Sequence, residues 1–225
     1  MGARGFVWIG GALFAASLGL CAWTYGAVLG RSAAAGGWPA LAADAALITI
    51  FALHHSLFAR ERVKAWLARS VPASLLRSGY VWAASLLLML VSLLWQPIGG
   101  ELYRVTGWPA LALYAVQLTG LLITARGVSR IDPLELAGIR PASQTDGLQV
   151  SGPYRWVRHP LYLGWVLMVF GAPHLTGDRL AFAAITTLYL VVAIPWEERS
   201  LRRSFGSDYE RYMRDVRWRL IPFIY

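Results

Sequence analysis

The sequence predicts an all-α fold: a polytopic membrane bundle of about six transmembrane helices with a cytoplasmic, amphipathic C-terminal helix. Three observations carry that prediction. Of the 225 residues, 57% are hydrophobic and only 15% charged, against about 25% charged in an average soluble domain. Mean hydropathy is +0.49. Six stretches approach the roughly 20 apolar residues that a span needs, at 6–29, 40–59, 75–95, 108–125, 161–175 and 180–194. The intervening and trailing polar segments, 126–160 and 195–225, make a cytoplasmic region of one membrane domain over 1–225.

The first stretch is too long for a cleaved leader and lacks a clear small-residue cleavage site, so it reads as a span. Gly10, Gly11, Gly19 and Gly26 suit it to close helix packing. Cys21 is the chain's single cysteine, so neither an internal disulfide nor a cysteine metal site is expected. The second stretch holds Asp44 near its outer end, read as a solvated or hydrogen-bonded structural carboxylate, and closes on His54-His55-Ser56. Adjacent helical residues point about 100° apart, a poor spacing for a metal pair. No metal is expected there, and the histidines read as a polar helix end that lines a substrate pocket. Residues 60–77 read as a short surface helix, with Val63, Trp66 and Leu67 on one face and Arg60, Arg62, Lys64 and Arg69 on others. Gln96-Pro97-Ile98-Gly99-Gly100 ends the third span with strong breakers. The fourth runs into a polar loop of about two dozen residues, a length typical of segments that line or cover a site. Only Thr176-Gly177-Asp178 separates the fifth span from the sixth, which predicts a tight antiparallel hairpin.

Basic residues crowd the loops at 60–77 and 126–158 and the tail, while the opposite face holds Arg31, Arg104 and Arg179. The positive-inside rule then puts both termini in the cytoplasm, in a bacterial-type inner membrane. The net charge of +9 reads as topology and attraction to anionic lipid, and excludes nucleic acid as a partner. Trp38, Trp95, Trp108, Trp156, Trp196 and Trp218 fall near span ends, as an interfacial belt does.

Two boundary segments carry the chemistry. Gly152-Pro153-Tyr154-Arg155-Trp156-Val157-Arg158-His159-Pro160-Leu161-Tyr162 is a turn, two cations and a histidine feeding a helix whose Pro160 suits a first helical position. A helix N-terminus favours anionic groups. Glu197-Glu198, closing the last span, supplies the opposite charge. The tail adds Leu201, Phe205, Tyr209, Tyr212, Met213 and Val216 beside Arg202, Arg203, Arg211 and Arg214. Gly206-Ser207-Asp208 divides it, with Ser207 or Asp208 as the expected cap. Cationic, anionic and π-face groups together suit a ligand with a carboxylate, an ammonium, an aromatic base, ribose hydroxyls and a sulfonium. S-adenosylmethionine is such a ligand, and a nucleotide or phospholipid headgroup meets several of the same demands. The glycine-rich βαβ fingerprint is absent.

The Arg158-His159-Pro160-Leu161-Tyr162 run resembles the Arg-His-Pro-x-Tyr signature of integral-membrane methyltransferases of the isoprenylcysteine carboxyl and phospholipid methyltransferase group. Glu197-Glu198 with Leu201, Phe205-Gly206, Tyr209, Tyr212, Val216 and Pro222 matches its second signature, over roughly the last 100 residues. The resemblance implies that Tyr154, Arg158, His159, Pro160, Tyr162, Glu197 and Glu198 bind S-adenosylmethionine, with Tyr209 and Tyr212 shaping a lid. His54-His55-Ser56-Leu57-Phe58-Ala59-Arg60, Arg77-Ser78-Gly79-Tyr80 and Trp95-Gln96-Pro97 look like bacterial methanethiol S-methyltransferases and the related NnrU-like proteins. Asp132…Gly138-Ile139-Arg140 echoes the same subgroup. Where the family often sets an arginine before the valine, this chain has Asp215, with Arg214 beside it, a departure that points to a different acceptor.

The reaction that the resemblance implies is methyl transfer to a small or apolar acceptor, most simply a thiol, entering from the bilayer. A thiol reacts as its thiolate. Arg158 or Arg140 is placed to favour that form, and His54, His55 and His159 are each candidates to take the proton. His54, His55, Arg140 and Arg214 are thus the catalytic candidates. The alternatives are a prenylated carboxylate or a lipid amine as acceptor, and a non-catalytic membrane protein or small transporter of the same fold.

Overall fold

The computed structural model describes residues 2–31, 36–58, 60–129, 133–140 and 147–225. Its helices are α1 (Ala3–Trp23, continued by a π-helical turn at Thr24–Val28), α2 (Gly37–Phe58), α3 (Glu61–Leu67), α4 (Ala73–Leu93), α5 (Trp108–Val128), α6 (Pro133–Leu136), α7 (Pro160–Phe170), α8 (Gly177–Phe205) and α9 (Ser207–Asp215). Two short strands, β1 (Glu101–Arg104) and β2 (His174–Thr176), pair with each other, and Gly152–Arg155 forms a 3₁₀ turn. The chain divides into two compact units, one drawn from Met1–Glu101, Asp132–Ser143 and Thr176–Arg179, the other from the remainder.

In the first unit α1 packs on α4. Trp82 Nε1 donates to the Phe6 carbonyl at 3.0 Å, and the two rings stack with centroids 5.3 Å apart. A Cβ on Gly10 would lie 2.6 Å from the Trp82 indole nitrogen, so a glycine is what lets the ring lie on the helix. Gly19 and Gly26 face open space, and the close packing expected at them is not found. Asp178 clamps the breaker segment. Its Oδ1 accepts from Trp95 Nε1 at 2.8 Å and the Ile98 N–H at 2.9 Å, and its Oδ2 from the Gly99 N–H at 3.0 Å. Trp95 is therefore buried rather than part of an interfacial belt, because its indole N–H has a carboxylate inside the fold. Asp44, fully buried, accepts the Gln96 N–H at 2.8 Å, the structural role expected of it. Residues 133–140 are pinned to α4 by Arg77 Nε on the Glu135 carbonyl (2.9 Å) and Ser78 Oγ on the Gly138 carbonyl (2.5 Å). The rest of the expected covering loop, 130–132 and 141–146, lies outside the described residues.

In the second unit α5 packs on α7 through facing glycines. A Cβ on Gly164 would approach the Gly120 carbonyl oxygen to 2.7 Å. Gln117 Nε2 donates to the Met168 carbonyl at 2.8 Å alongside.

The expected fifth span is shorter than the sequence suggested. α7 has 11 residues, because Gly171-Ala172-Pro173 breaks the helix and residues 174–176 turn extended to pair with β1. Among the described residues, five helices are long and apolar enough to cross a membrane, and α7 is the short sixth. The connection lies at 171–176 rather than at 176–178. α8 runs past Ile194 with Pro195 inside it, so the glutamate pair sits within a helix and not at its end. Gly206, with φ of +51°, separates α8 from α9 and occupies the N-cap position itself. Ser207 and Asp208 fall in the first turn instead, where Asp208 and Glu210 complement the helix dipole.

Candidate functional site

The site is built in the second unit where the start of α7, the C-terminal part of α8 and the C-terminal tail meet. His159 precedes Pro160, whose missing N–H belongs at a helix start. The Tyr162 N–H bonds the His159 carbonyl at 3.1 Å, so this helix terminus keeps few donors for an anion. The polar side chains supply the chemistry. Arg158 Nε pairs with Glu198 Oε1 at 2.7 Å, and Arg219 Nε with Glu198 Oε2 at 3.2 Å. His159 stands between both glutamates, its Nδ1 3.5 Å from Glu197 Oε2 and its Nε2 3.5 Å from Glu198 Oε1. Tyr162 Oη donates to Glu197 Oε2 at 2.7 Å, and its ring stacks on His159 with centroids 5.4 Å apart.

The tail is tied down as a strap. The Arg158 and His159 N–H groups donate to the Trp218 and Arg219 carbonyls, each at 2.9 Å. Arg158 Nη1 also reaches the Val216 and Arg217 carbonyls, each at 2.8 Å. Tyr209, Tyr212 and Val216 form a buried cluster with Tyr154, Leu148, Leu201, Phe205 and Met213 around it. Tyr212 Oη donates to the Tyr154 carbonyl at 2.7 Å. Two buried polar atoms here have no hydrogen-bond partner among the described residues, Tyr209 Oη and His159 Nε2. Glu197 keeps its side chain 44% exposed, whereas Glu198 is buried.

Electrostatics follow from this packing. Burial lowers the His159 pKa, but hydrogen bonds and charge from Glu197 and Glu198 outweigh it and hold the imidazole above its ordinary value. Burial, reinforced by the Glu198 charge, pushes the Tyr209 hydroxyl up to about 12. Tyr209 is thus a neutral donor with no acceptor in place.

A family model described as phospholipid methyltransferase matches residues 137–208. The chain is 39% identical over 194 residues to a methanethiol S-methyltransferase of Crocosphaera subtropica, covering 82% of this chain and 76% of that protein. The chain belongs to this methyltransferase family. Methanethiol S-methyltransferase 2 of Bradyrhizobium diazoefficiens is 37% identical over 178 residues, 76% of this chain and 69% of its own length. Human nurim is more distant, 31% identical over 179 residues, or 72% and 68% of the two chains. No solved structure gives a significant match.

Tyr154, Arg158, His159, Pro160, Tyr162, Glu197, Glu198, Tyr209 and Tyr212 of this methyltransferase all lie in the second unit, around the contacts just described. His54, His55 and Arg140 belong to the first. There His55 Nδ1 and Tyr80 Oη lie 2.6 Å apart, and the His54 ring stacks on Tyr80 at 5.5 Å and meets Phe58 at 4.5 Å. Both His54 ring nitrogens are buried without a hydrogen-bond partner among the described residues. Arg140 closes the turn after α6, its N–H on the Leu134 carbonyl at 3.0 Å. Arg214 is exposed in the last turn of α9, where a cation suits the helix dipole. Sequence reasoning missed Arg219, the second guanidinium on Glu198. Its signal was a basic, aromatic segment too short to be a helix.

Proposed function

We propose that this chain is an S-adenosylmethionine-dependent S-methyltransferase whose acceptor is a small thiol such as methanethiol. The family relationship supports the reaction class, and the names of the relatives support the acceptor. The observation that carries the cofactor assignment is the cluster itself: a half-exposed carboxylate beside a buried tyrosine hydroxyl that has no hydrogen-bond partner among the described residues, under an aromatic lid. That donor set fits the nucleotide. Glu197 suits ribose hydroxyls or an ammonium, Tyr209 Oη suits an acceptor, and the tyrosine rings suit an aromatic base or a sulfonium. When bound, this cofactor supplies a methyl group on a positively charged sulfur, already activated toward a nucleophile.

The protein's own residues position and shield. Arg158 spends its guanidinium on Glu198 and on tail carbonyls, so it acts as the positioning residue that holds the strap closed. His159, whose pKa the two carboxylates raise, orients Glu197 and Glu198. Tyr162 fixes the Glu197 rotamer. Holding two reactants in line is worth up to about 7–11 kcal/mol in favourable cases. The distribution of basic loops supports cytoplasmic termini in an inner membrane.

Purified enzyme given methanethiol and S-adenosylmethionine should release a volatile thioether into the headspace. Label appearing instead in lipids on thin-layer analysis would replace the thiol with a lipid acceptor.

A further inference from the structure

A cleft of about 500 Å³ opens in the second unit beside the 152–156 turn, lined by Ile123, Arg126, Gly152, Pro153, Arg155 and Trp156. The turn has two uses. Tyr154 engages α9 through Tyr212, and Arg158 engages Glu198 of α8 and the Val216 and Arg217 carbonyls of the tail, while Arg155 and Trp156 line the cleft. Arg126 and Arg155 are both exposed, and among the described residues neither guanidinium meets a carboxylate. Arg126 stands in the last turn of a 21-residue apolar helix, a length that spans the hydrocarbon layer and brings its end to the headgroups. Trp156 is 63% exposed, and Ile123, one turn before Arg126, is buried.

We propose that this cleft holds the phosphodiester headgroup of an anionic membrane lipid, as a resident ligand and not as a methyl acceptor. Two unspent guanidiniums are matched by a phosphate, which accepts paired N–H donors. An exposed indole at the same level suits the headgroup boundary. Ile123 gives the start of an acyl chain an apolar wall. The volume falls within the range of small-ligand sites. The cofactor cluster uses none of the cleft-lining side chains, so the lipid site stands or falls apart from the assignment of S-adenosylmethionine.

The test offers full-length protein in detergent an equal mixture of phosphatidylglycerol, which has no amine to methylate, and phosphatidylcholine. Native mass spectrometry counts the lipid retained. Wild type should retain phosphatidylglycerol in preference. Arg126→Gln with Arg155→Gln should cut that preference about thirtyfold, and Arg155→Gln alone about fivefold, since each cation near a membrane surface counts similarly. The single variant decides the matter where the double variant does not fold. Arg62→Gln with Arg69→Gln, which removes the same charge from exposed positions on the surface segment, should leave the preference intact. An equal loss in both double variants would mean diffuse attraction and overturn the site, as would a wild type without preference. Inorganic phosphate that protects the protein from heat as well as phosphatidylglycerol does would give the cleft to a free anion and overturn the lipid.

Discussion

Glu198 is buried among three basic side chains, Arg158 at 2.7 Å, Arg219 at 3.2 Å and His159 at 3.5 Å. Removing its charge leaves the buried Arg158 guanidinium without its carboxylate, while His159 keeps Glu197. Glu198→Ala should therefore cost about 3–5 kcal/mol, read as a large drop in melting temperature, whereas a surface pair is worth about 1 kcal/mol or less. His159 gives a pH signature. Its folded pKa lies above the ordinary value of about 6.5, so its contribution is complete below that pH and fades as pH rises through the raised folded value. Thermal melts should show stability falling across that interval in wild type, with a flatter profile in His159→Gln. At this scale the sequence was legible for charge. Arg158, His159, Glu197 and Glu198 were identified as halves of one site because both signs stood at helix boundaries. Arg219 was not legible, because its partner comes from tail geometry that no periodicity encodes.

At the scale of elements, the α5–α7 contact depends on what is absent from Gly164. A methyl there would press on the Gly120 carbonyl oxygen at 2.7 Å, and backbone oxygen yields little. Gly164→Ala should lower stability by about 1–3 kcal/mol by overpacking, measured by thermal unfolding, while Ala at Gly19, which has open space around it, should not destabilise. The strap is the other decisive element. Deleting residues 216–225 removes the carbonyls that hold Arg158 and the Arg219 partner of Glu198. The shortened chain should lose cofactor binding. Helix existence was readable from apolar runs, and the tail's helical face from its aromatic spacing. Helix ends were harder. Gly171-Ala172-Pro173 was passed over within a hydrophobic run, although a proline and a free strand edge at β1 end α7 there. Pro195, one residue past the expected end of the sixth span, is carried inside α8.

For the whole molecule, the class was fixed by composition, since few charges and long apolar runs leave a membrane bundle as the way to bury the backbone. The aromatic-histidine cluster of the first unit and the ionic cluster of the second were both visible as sequence motifs, whereas the division of the chain into two units depends on long-range packing that no window of residues reports. The central claim is that the ionic cluster of the second unit is a cofactor site completed by a ligand. Calorimetric titration of the full-length protein with S-adenosylmethionine tests it most directly, with wild type and Tyr209→Phe side by side. The hydroxyl of Tyr209 has no hydrogen-bond partner among the described residues, so its removal should leave the melting temperature undiminished. The account predicts about one molecule bound per chain, weakened roughly tenfold in Tyr209→Phe. Folded wild-type protein that takes up none, or a variant that binds as tightly as wild type, would contradict it.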